Sequence, residues 1–322
     1  MRYETAGDPM TGLLWTKKTR QKIAHELAKI GIEVSPTTVG KILKGLKYSL
    51  KCNSKKVANG GRKLTQAEKR TADEQFAYIA KMREAFAKRG LPILSCDTKK
   101  KELIGNFKNP GTRYRTEADL VNDHDFANYG VGKASPYGIY DQTRNEGFVY
   151  VGQALWDPQH KRFTSHDTPE FAAESVARWW KDYGSRRYPE SKEVLLLVDA
   201  GGSNGYRPRM WKFKLFTNMA TELGLTVTVC HFPPGKSKWN PVEHRLFGEI
   251  SKSWAGTPLR SFETVLKYIR RTTTTTGLKV AARLVTKSYA TGQIPSKQDF
   301  ARIAIEPHDV LPRWNYTIAS AS

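Results

Sequence analysis

The chain has 322 residues, room for two or three domains at roughly 100–200 residues each, and its 39% hydrophobic content is enough for a core. Its 53 Lys and Arg against 31 Asp and Glu leave a net charge of +22, which favours a polyanionic partner, nucleic acid before anionic membrane. No apolar run approaches the ~18 residues of a spanning helix, the N-terminus lacks a secretory pattern, and three scattered cysteines suit neither a disulfide framework nor a zinc site. These features point to a reduced, cytoplasmic, nucleoid-associated protein.

Residues 1–63 carry 14 Lys and Arg against 4 Asp and Glu, a net of +10. After Thr19, the spacing of Ile23, Leu27 and Ile30 predicts an amphipathic helix that Gly31 stops. Ser35 as N-cap and Pro36 in the first helical position open a second helix. Val39, Ile42, Leu43 and Leu46 form its apolar stripe, leaving Thr37, Thr38, Lys41 and Lys44 outward. Helix, short turn, helix with a polar and basic outer face is the helix-turn-helix pattern, although a generic basic helical pair shares it. On the sharper reading 35–47 is a recognition helix. Lys51, Lys55 and Lys56 trail along phosphates, and Thr37, Thr38 or Lys41 reach base edges. This all-α region is expected over 1–56. A Gly-containing linker and a charged helix at 66–88, with Phe76, Ile79, Met82 and Phe86 on one face, are expected to connect it across 57–90 to the rest.

From Leu91 strands and helices alternate. Residues 93–97 read as a strand; 138–141 and 147–152 read as a hairpin around 142–145. A helix follows at 168–183, then a strand at 194–199, a helix at 207–223, a strand at 225–230 and a helix from Asn240. Three strands, helix, strand, helix, strand, helix is the ribonuclease H-like order. The expected α/β architecture is a mixed five-stranded sheet with flanking helices, over 91–322, with a C-terminal extension.

Three acids stand at comparable places in this scheme. Asp97 and Asp199 end apolar strands, and Glu243 lies just inside a helix. Magnesium takes oxygen ligands, usually a few carboxylates plus substrate phosphate, and a pair of ions can serve an in-line displacement at phosphorus. Each acid has a plainer reading. Asp97 and Asp199 are also typical turn formers. Asn240, Pro241 and Glu243 have the spacing of a capping box, in which Glu243 is a helix cap and nothing more. His166 and Asp167 read as capping residues, and His231 and His244 flank the site. Lys99, Lys100, Lys238 and Arg245 are candidate phosphate contacts, with solvated surface cations as the alternative.

The chain resembles a DDE-type insertion-sequence transposase of the Rhodopirellula transposase family, distantly mariner-like. The resemblance runs through Asp97-Thr98-Lys99-Lys100, Gly105-Asn106-Phe107-Lys108-Asn109-Pro110, Pro136-Tyr137-Gly138-Ile139-Tyr140-Asp141, Ser165-His166-Asp167-Thr168-Pro169, Asp199-Ala200-Gly201-Gly202-Ser203-Asn204 and Ser237-Lys238-Trp239-Asn240-Pro241-Val242-Glu243-His244-Arg245. It implies that Asp97, Asp199 and Glu243 are a catalytic and metal-binding triad for Mg2+ or Mn2+, with two ions. It also implies that the upstream helix pair binds double-stranded transposon ends, with target DNA as second substrate and a homodimer or larger assembly on DNA. Such proteins usually carry more sequence ahead of the helix pair, so weakened end recognition is expected. Two rivals remain at this point: a structure-specific nuclease of the same fold, and a non-catalytic DNA-binding remnant.

Overall fold

Hydroxyl caps define the helices of the N-terminal unit, residues 1–62. The computed structural model describes residues 5–7, 14–16, 18–46, 48, 65–114, 116–123 and 129–320. A two-stranded antiparallel ribbon comes first, β1 (Thr5–Gly7) and β2 (Leu14–Thr16), so this unit is not all-α as expected. Strands of three residues are too short for alternation to register in a sequence. Thr19 Oγ1 accepts the Lys22 amide at 3.2 Å and opens α1 (Arg20–Ala28). Ser35 Oγ accepts the Thr38 amide at 3.1 Å and, with Pro36, opens α2 (Pro36–Gly45). Gly31, at φ +83°, turns the chain between them in a conformation that costs any other residue strain.

The helices meet through Ile23, Ala24 and Val39, with Leu27, Val34 and Leu43 partly covered. Ile30, Ile42 and Leu46, expected inside, are 70%, 49% and 64% exposed. Helices of nine and ten residues cover about one ring of side chains each, so the ends of both stripes stay in solvent. Lys51, Lys55 and Lys56 lie outside the described residues.

The second unit spans 63–322. Its first element, α3 (Gln66–Lys88), starts with a complete capping box between Thr65 and Glu68. Ile79 and Phe86 are buried, with Phe76 and Met82 packed alongside, against Ile93, Leu195, Leu197, Cys230 and Phe232. The division between the two units falls after Arg62, and the apolar stripe of α3 packs on the sheet behind it.

That sheet contains β3 (Ile93–Thr98), β4 (Glu102–Ile104), β5 (Gly132–Asp141), β6 (Glu146–Asp157), β7 (Arg162–Phe163), β8 (Glu193–Val198), β9 (Thr226–His231), β10 (Lys279–Val285), β11 (Ala304–Pro307) and β12 (Asn315–Ala319). Its order is β10-β6-β5-β3-β8-β9-β12-β11, with β4 added on β5 and β7 on β6. β3 runs antiparallel to β5 and parallel to β8, and β8 is parallel to β9. The five expected strands are the middle of a ten-stranded sheet. β10 extends it beyond β6, while β12 and β11 extend it beyond β9; these polar-interrupted segments carry no apolar run like that of β8.

Successive side chains of a strand face opposite sides. Leu94, Cys96, Leu196 and Val198 meet Phe171, Val176 and Trp179 of α4 (Pro169–Trp179), which continues as a wider turn and then α5 (Ser185–Arg187). Trp211 and Leu215 of α6 (Arg209–Leu215) join the same face. On the other face Tyr140, Val149 and Val151 receive Val242, Leu246 and Phe247, then α7 (Gly248–Ser253) and α8 (Phe262–Arg270). The short α9 (Lys297–Ala301) follows β10. Two glycines let the 241–253 helical segment lie close on the hairpin: a Cβ at Gly138 would stand 2.6 Å from Phe247 Cζ, and one at Gly147 would strike Leu246 Cδ1.

Candidate active site

Parallel pairing of β3 with β8 matches Cys96 to Val198, so the next residues, Asp97 and Asp199, fall side by side where the apolar runs end. Leu94, Cys96, Leu196, Leu197 and Val198 are fully buried, while both acids are partly open. Open α/β sheets bind ligands at such carboxyl ends of strands.

Glu243 reaches the same place through Asn240. The Asn240 side chain is fully buried. Its Nδ2 donates to Asp199 Oδ1 at 3.0 Å and to the Cys96 carbonyl at 3.3 Å, and its Oδ1 accepts from Ser95 Oγ. Ser95 Oγ in turn accepts the Val242 amide at 2.8 Å. The start of the helical segment is thus tied to β3 on one side and to Asp199 on the other. The Glu243 amide donates to the Asn240 carbonyl at 3.1 Å, not to its side chain, and the Glu243 carboxyl lies near enough to Asp97 and Asp199 for its charge to raise both. The capping-box arrangement is not formed. Asn240 has the right spacing for a cap, but its amide is used on the strands. From Glu243 to Phe247 the helix widens, the Gly248 amide bonding the Glu243 carbonyl five residues back, a local irregularity frequent at functional sites.

The acids perturb one another. Burial, and then the charge of Asp199, pushes Asp97 up to about 8 against the pull of the Thr98 amide, which donates to its Oδ1 at 2.8 Å. Asp199 is raised to about 6, first by burial; the Asn240 hydrogen bond opposes this and Glu243 adds to it. Glu243 is raised by burial, with the charges of His244 and Lys99 pulling the other way. Crowded carboxylates in a poorly hydrated site hold protons until a cation replaces them.

A fourth acid belongs to this cluster. Thr168 caps α4, its Oγ1 accepting the Phe171 amide at 3.2 Å, which leaves Asp167 free of the capping role expected for it. Asp167 Oδ1 accepts from Thr98 Oγ1 at 3.1 Å and its charge raises Asp97. Asn204 was also missed; buried, it donates to the Cys96 carbonyl at 3.1 Å, so two amides clamp the peptide before Asp97. Nothing in a single sequence separates such an asparagine from a loop residue. His231 is buried and held neutral, its pKa lowered to about 4 by burial, with Nδ1 on the Asp199 carbonyl at 2.9 Å and Nε2 on Tyr316 Oη at 3.2 Å. It braces the loop and faces no open surface. His244 is exposed, its Nε2 on the Lys238 carbonyl.

The candidate phosphate contacts divide. Lys99 is 9% exposed, its Nζ 2.8 Å from Glu102 and 4.7 Å from the Trp254 ring centre, so it is a buried partner and not a free clamp. Lys100, Lys238 and Arg245 are exposed, and Lys238 lies over the exposed Trp239 ring. In the N-terminal unit Thr37, Thr38, Lys41 and Lys44 are exposed on α2.

Among the described residues no three His, Cys, Asp or Glu side chains converge closely enough to enclose an ion by themselves. Mg2+ keeps waters and uses one or two carboxylates plus substrate phosphate. The donors are all oxygen, and Asp97, Asp199 and Glu243 fit such an ion better than a softer one.

Fold and site together define a mixed α/β protein with an acidic centre at the carboxyl ends of two parallel strands. A model of the family "Rhodopirellula transposase DDE domain" matches residues 1–320, and the chain belongs to that family. No curated relative matches it. Solved structures similar to it include a Mos1 transposase paired-end complex with left transposon end, at 18% identity over 78% of this chain, with a TM-score of 0.45. The Mos1 mariner paired end complexes with Mn and with Mg are similar at 17% and 15% identity, with TM-scores of 0.45 and 0.40. The match spans 65% of the length of each of those chains.

Proposed function

We propose that the protein is a metal-dependent DNA transposase that binds the ends of a mobile element, cleaves a strand there and joins the end to target DNA. The observation that carries this reading is the alignment of Asp97 with Asp199 on adjacent parallel strands, with Glu243 tied beside them through Asn240. Family membership supports it. The central strand order β6-β5-β3-β8-β9 is read as ribonuclease H-like, and α1 with α2 as the helix-turn-helix that reads transposon ends through Thr37, Thr38, Lys41 and Lys44.

In this mechanism Asp97, Asp199 and Glu243 would hold the divalent ions, Mg2+ or Mn2+. When bound, two such ions supply positive charge to the attacking and leaving oxygens of an in-line displacement at phosphorus. The Thr98 amide and the Asn240 side chain fix the orientation of the two aspartates, and His231 holds the Asp199 backbone. Lys100, Lys238 and Arg245 orient the phosphate backbone. Joining two ends calls for at least two copies of the chain on DNA.

The test is a reaction of the purified protein with duplexes carrying the element's ends, Mg2+ and a target plasmid, with products resolved on denaturing gels. Cut ends together with end–target joints are expected. Cutting without joints would favour the nuclease reading, and inert but tightly bound DNA the non-catalytic one.

A further inference from the structure

Immediately after Asp199, the chain forms an open, basic and aromatic hollow that the carboxylate chemistry does not use. Ala200, Gly201, Gly202 and Tyr206 line a cavity of about 450 Å3. The same Tyr206 is one wall of a second cavity, about 310 Å3, formed with the 311–314 loop. These volumes are in the range that holds one small molecular group. A Cβ at Gly201 would meet nothing within 4 Å, and Gly202 is at φ +76°, so this wall is bare backbone. Leu311, at φ +46°, holds a strained turn that brings Arg313 and Trp314 to the Tyr206 ring.

The guanidinium carbons of Arg207 and Arg313 lie 5.3 and 5.7 Å from the centre of that ring, and the Trp314 ring lies 6.3 Å away. Among the described residues neither arginine forms an ion pair. Tyr206 is half-buried, and its Oη accepts from Arg207 Nε at 3.0 Å. An arginine held by a ring face and one neutral hydrogen bond keeps donors for a phosphodiester, which it binds through charge-assisted, bidentate hydrogen bonds.

We propose that this hollow holds an unpaired nucleotide of the DNA strand next to the carboxylates, its base stacked on Tyr206 and its phosphates on Arg207 and Arg313. A base in a closed duplex offers no free face to a tyrosine, so the occupant is a nucleotide already out of the stack at a cut or distorted end. The inference rests on the DNA reading above.

The experiment measures metal-free binding, by fluorescence anisotropy, of a labelled blunt duplex and of the same duplex with a short single-stranded overhang. Wild type is expected to prefer the overhang about tenfold, equivalent to ~1.4 kcal/mol, the scale of one base on one ring. Tyr206→Ala removes the preference while keeping blunt-duplex affinity, and Tyr206→Phe retains it. Arg313→Gln, with an unchanged melting temperature, lowers the slope of log overhang affinity against log salt by about 0.7, one phosphate contact on a single strand. Wild type that binds blunt and overhang DNA equally, or a folded Tyr206→Ala that keeps the preference, overturns the nucleotide site and leaves the DNA reading standing. Wild type that binds neither DNA overturns both.

Discussion

Asn240→Ala removes the side chain on which the geometry of the acids depends. In the folded protein this amide satisfies three groups: Ser95 Oγ, the Cys96 carbonyl and Asp199 Oδ1. The Cys96 carbonyl keeps Asn204 as a donor, so its loss is small. Ser95 Oγ–H and Asp199 Oδ1 lose their partners. A buried polar group stripped of its partner costs about 1–3 kcal/mol, and more where the partner is charged. Two such losses, with a small cavity, give about 3–5 kcal/mol, a large part of the ~5–15 kcal/mol of a typical domain. The assay is urea unfolding followed by near-ultraviolet circular dichroism, with calorimetric Mn2+ titration of the folded variant. Asn240→Asp should be at least as damaging, because it sets a second carboxylate against Asp199. Retention of the wild-type midpoint to within ~1 kcal/mol, with unaltered Mn2+ binding, would refute the idea that Asn240 assembles the site.

Other predictions follow from single contacts. Gly138→Ala drives a methyl into Phe247 and shifts the helical segment bearing Glu243, so a loss of about 1–3 kcal/mol in urea unfolding together with weaker Mn2+ binding is expected. Lys99→Ala strands the largely buried Glu102 and is expected to destabilise the fold by roughly 3 kcal/mol, whereas Lys100→Ala leaves the melting temperature unchanged and lowers DNA affinity in a salt-dependent way. Because Asp97 is raised to about 8 and Asp199 to about 6 from the usual 3.8, the folded state keeps protons that the unfolded chain has released. The contribution of these acids to the metal-free fold therefore falls as pH rises from 3.8 towards 8, and Mn2+ should raise the melting temperature more at pH 8 than at pH 5.5. His231 works in the opposite sense. Lowered to about 4 from 6.5, it makes the fold gain stability as pH rises between those values, and His231→Gln should abolish that gain in pH-dependent melting curves.

The strand ends were legible because they combine two strong local signals. Leu195 to Val198 is an apolar run that an acid terminates, and Ser35-Pro36 and Thr168-Pro169 announce helix starts whose hydroxyls do accept the expected amides. What the sequence hides depends on contacts between distant residues. Asn240 has the spacing of a cap, yet its amide is used 145 residues away on Ser95, an assignment no local rule contains. Asp167 reads as a cap until Thr168 is seen to do that work. Lys99 and Lys100 are neighbours of identical chemistry; only the positions of Glu102 and Trp254 bury one and leave the other in solvent. The outer strands β10, β11 and β12 form because the central sheet offers them edges, and their own residues alternate too weakly to declare it.

The most direct measurement is Mg2+-dependent nicking of a supercoiled plasmid carrying the element's ends, by wild type and by Glu243→Gln. Gln is close in size and stays polar, but it removes the charge a divalent ion requires. Nicking by wild type, and none by a variant with the same melting temperature, is the predicted result. A Glu243→Gln protein that nicks as well as wild type would contradict the account, because the acid beside Asp97 and Asp199 would then have no part in the chemistry.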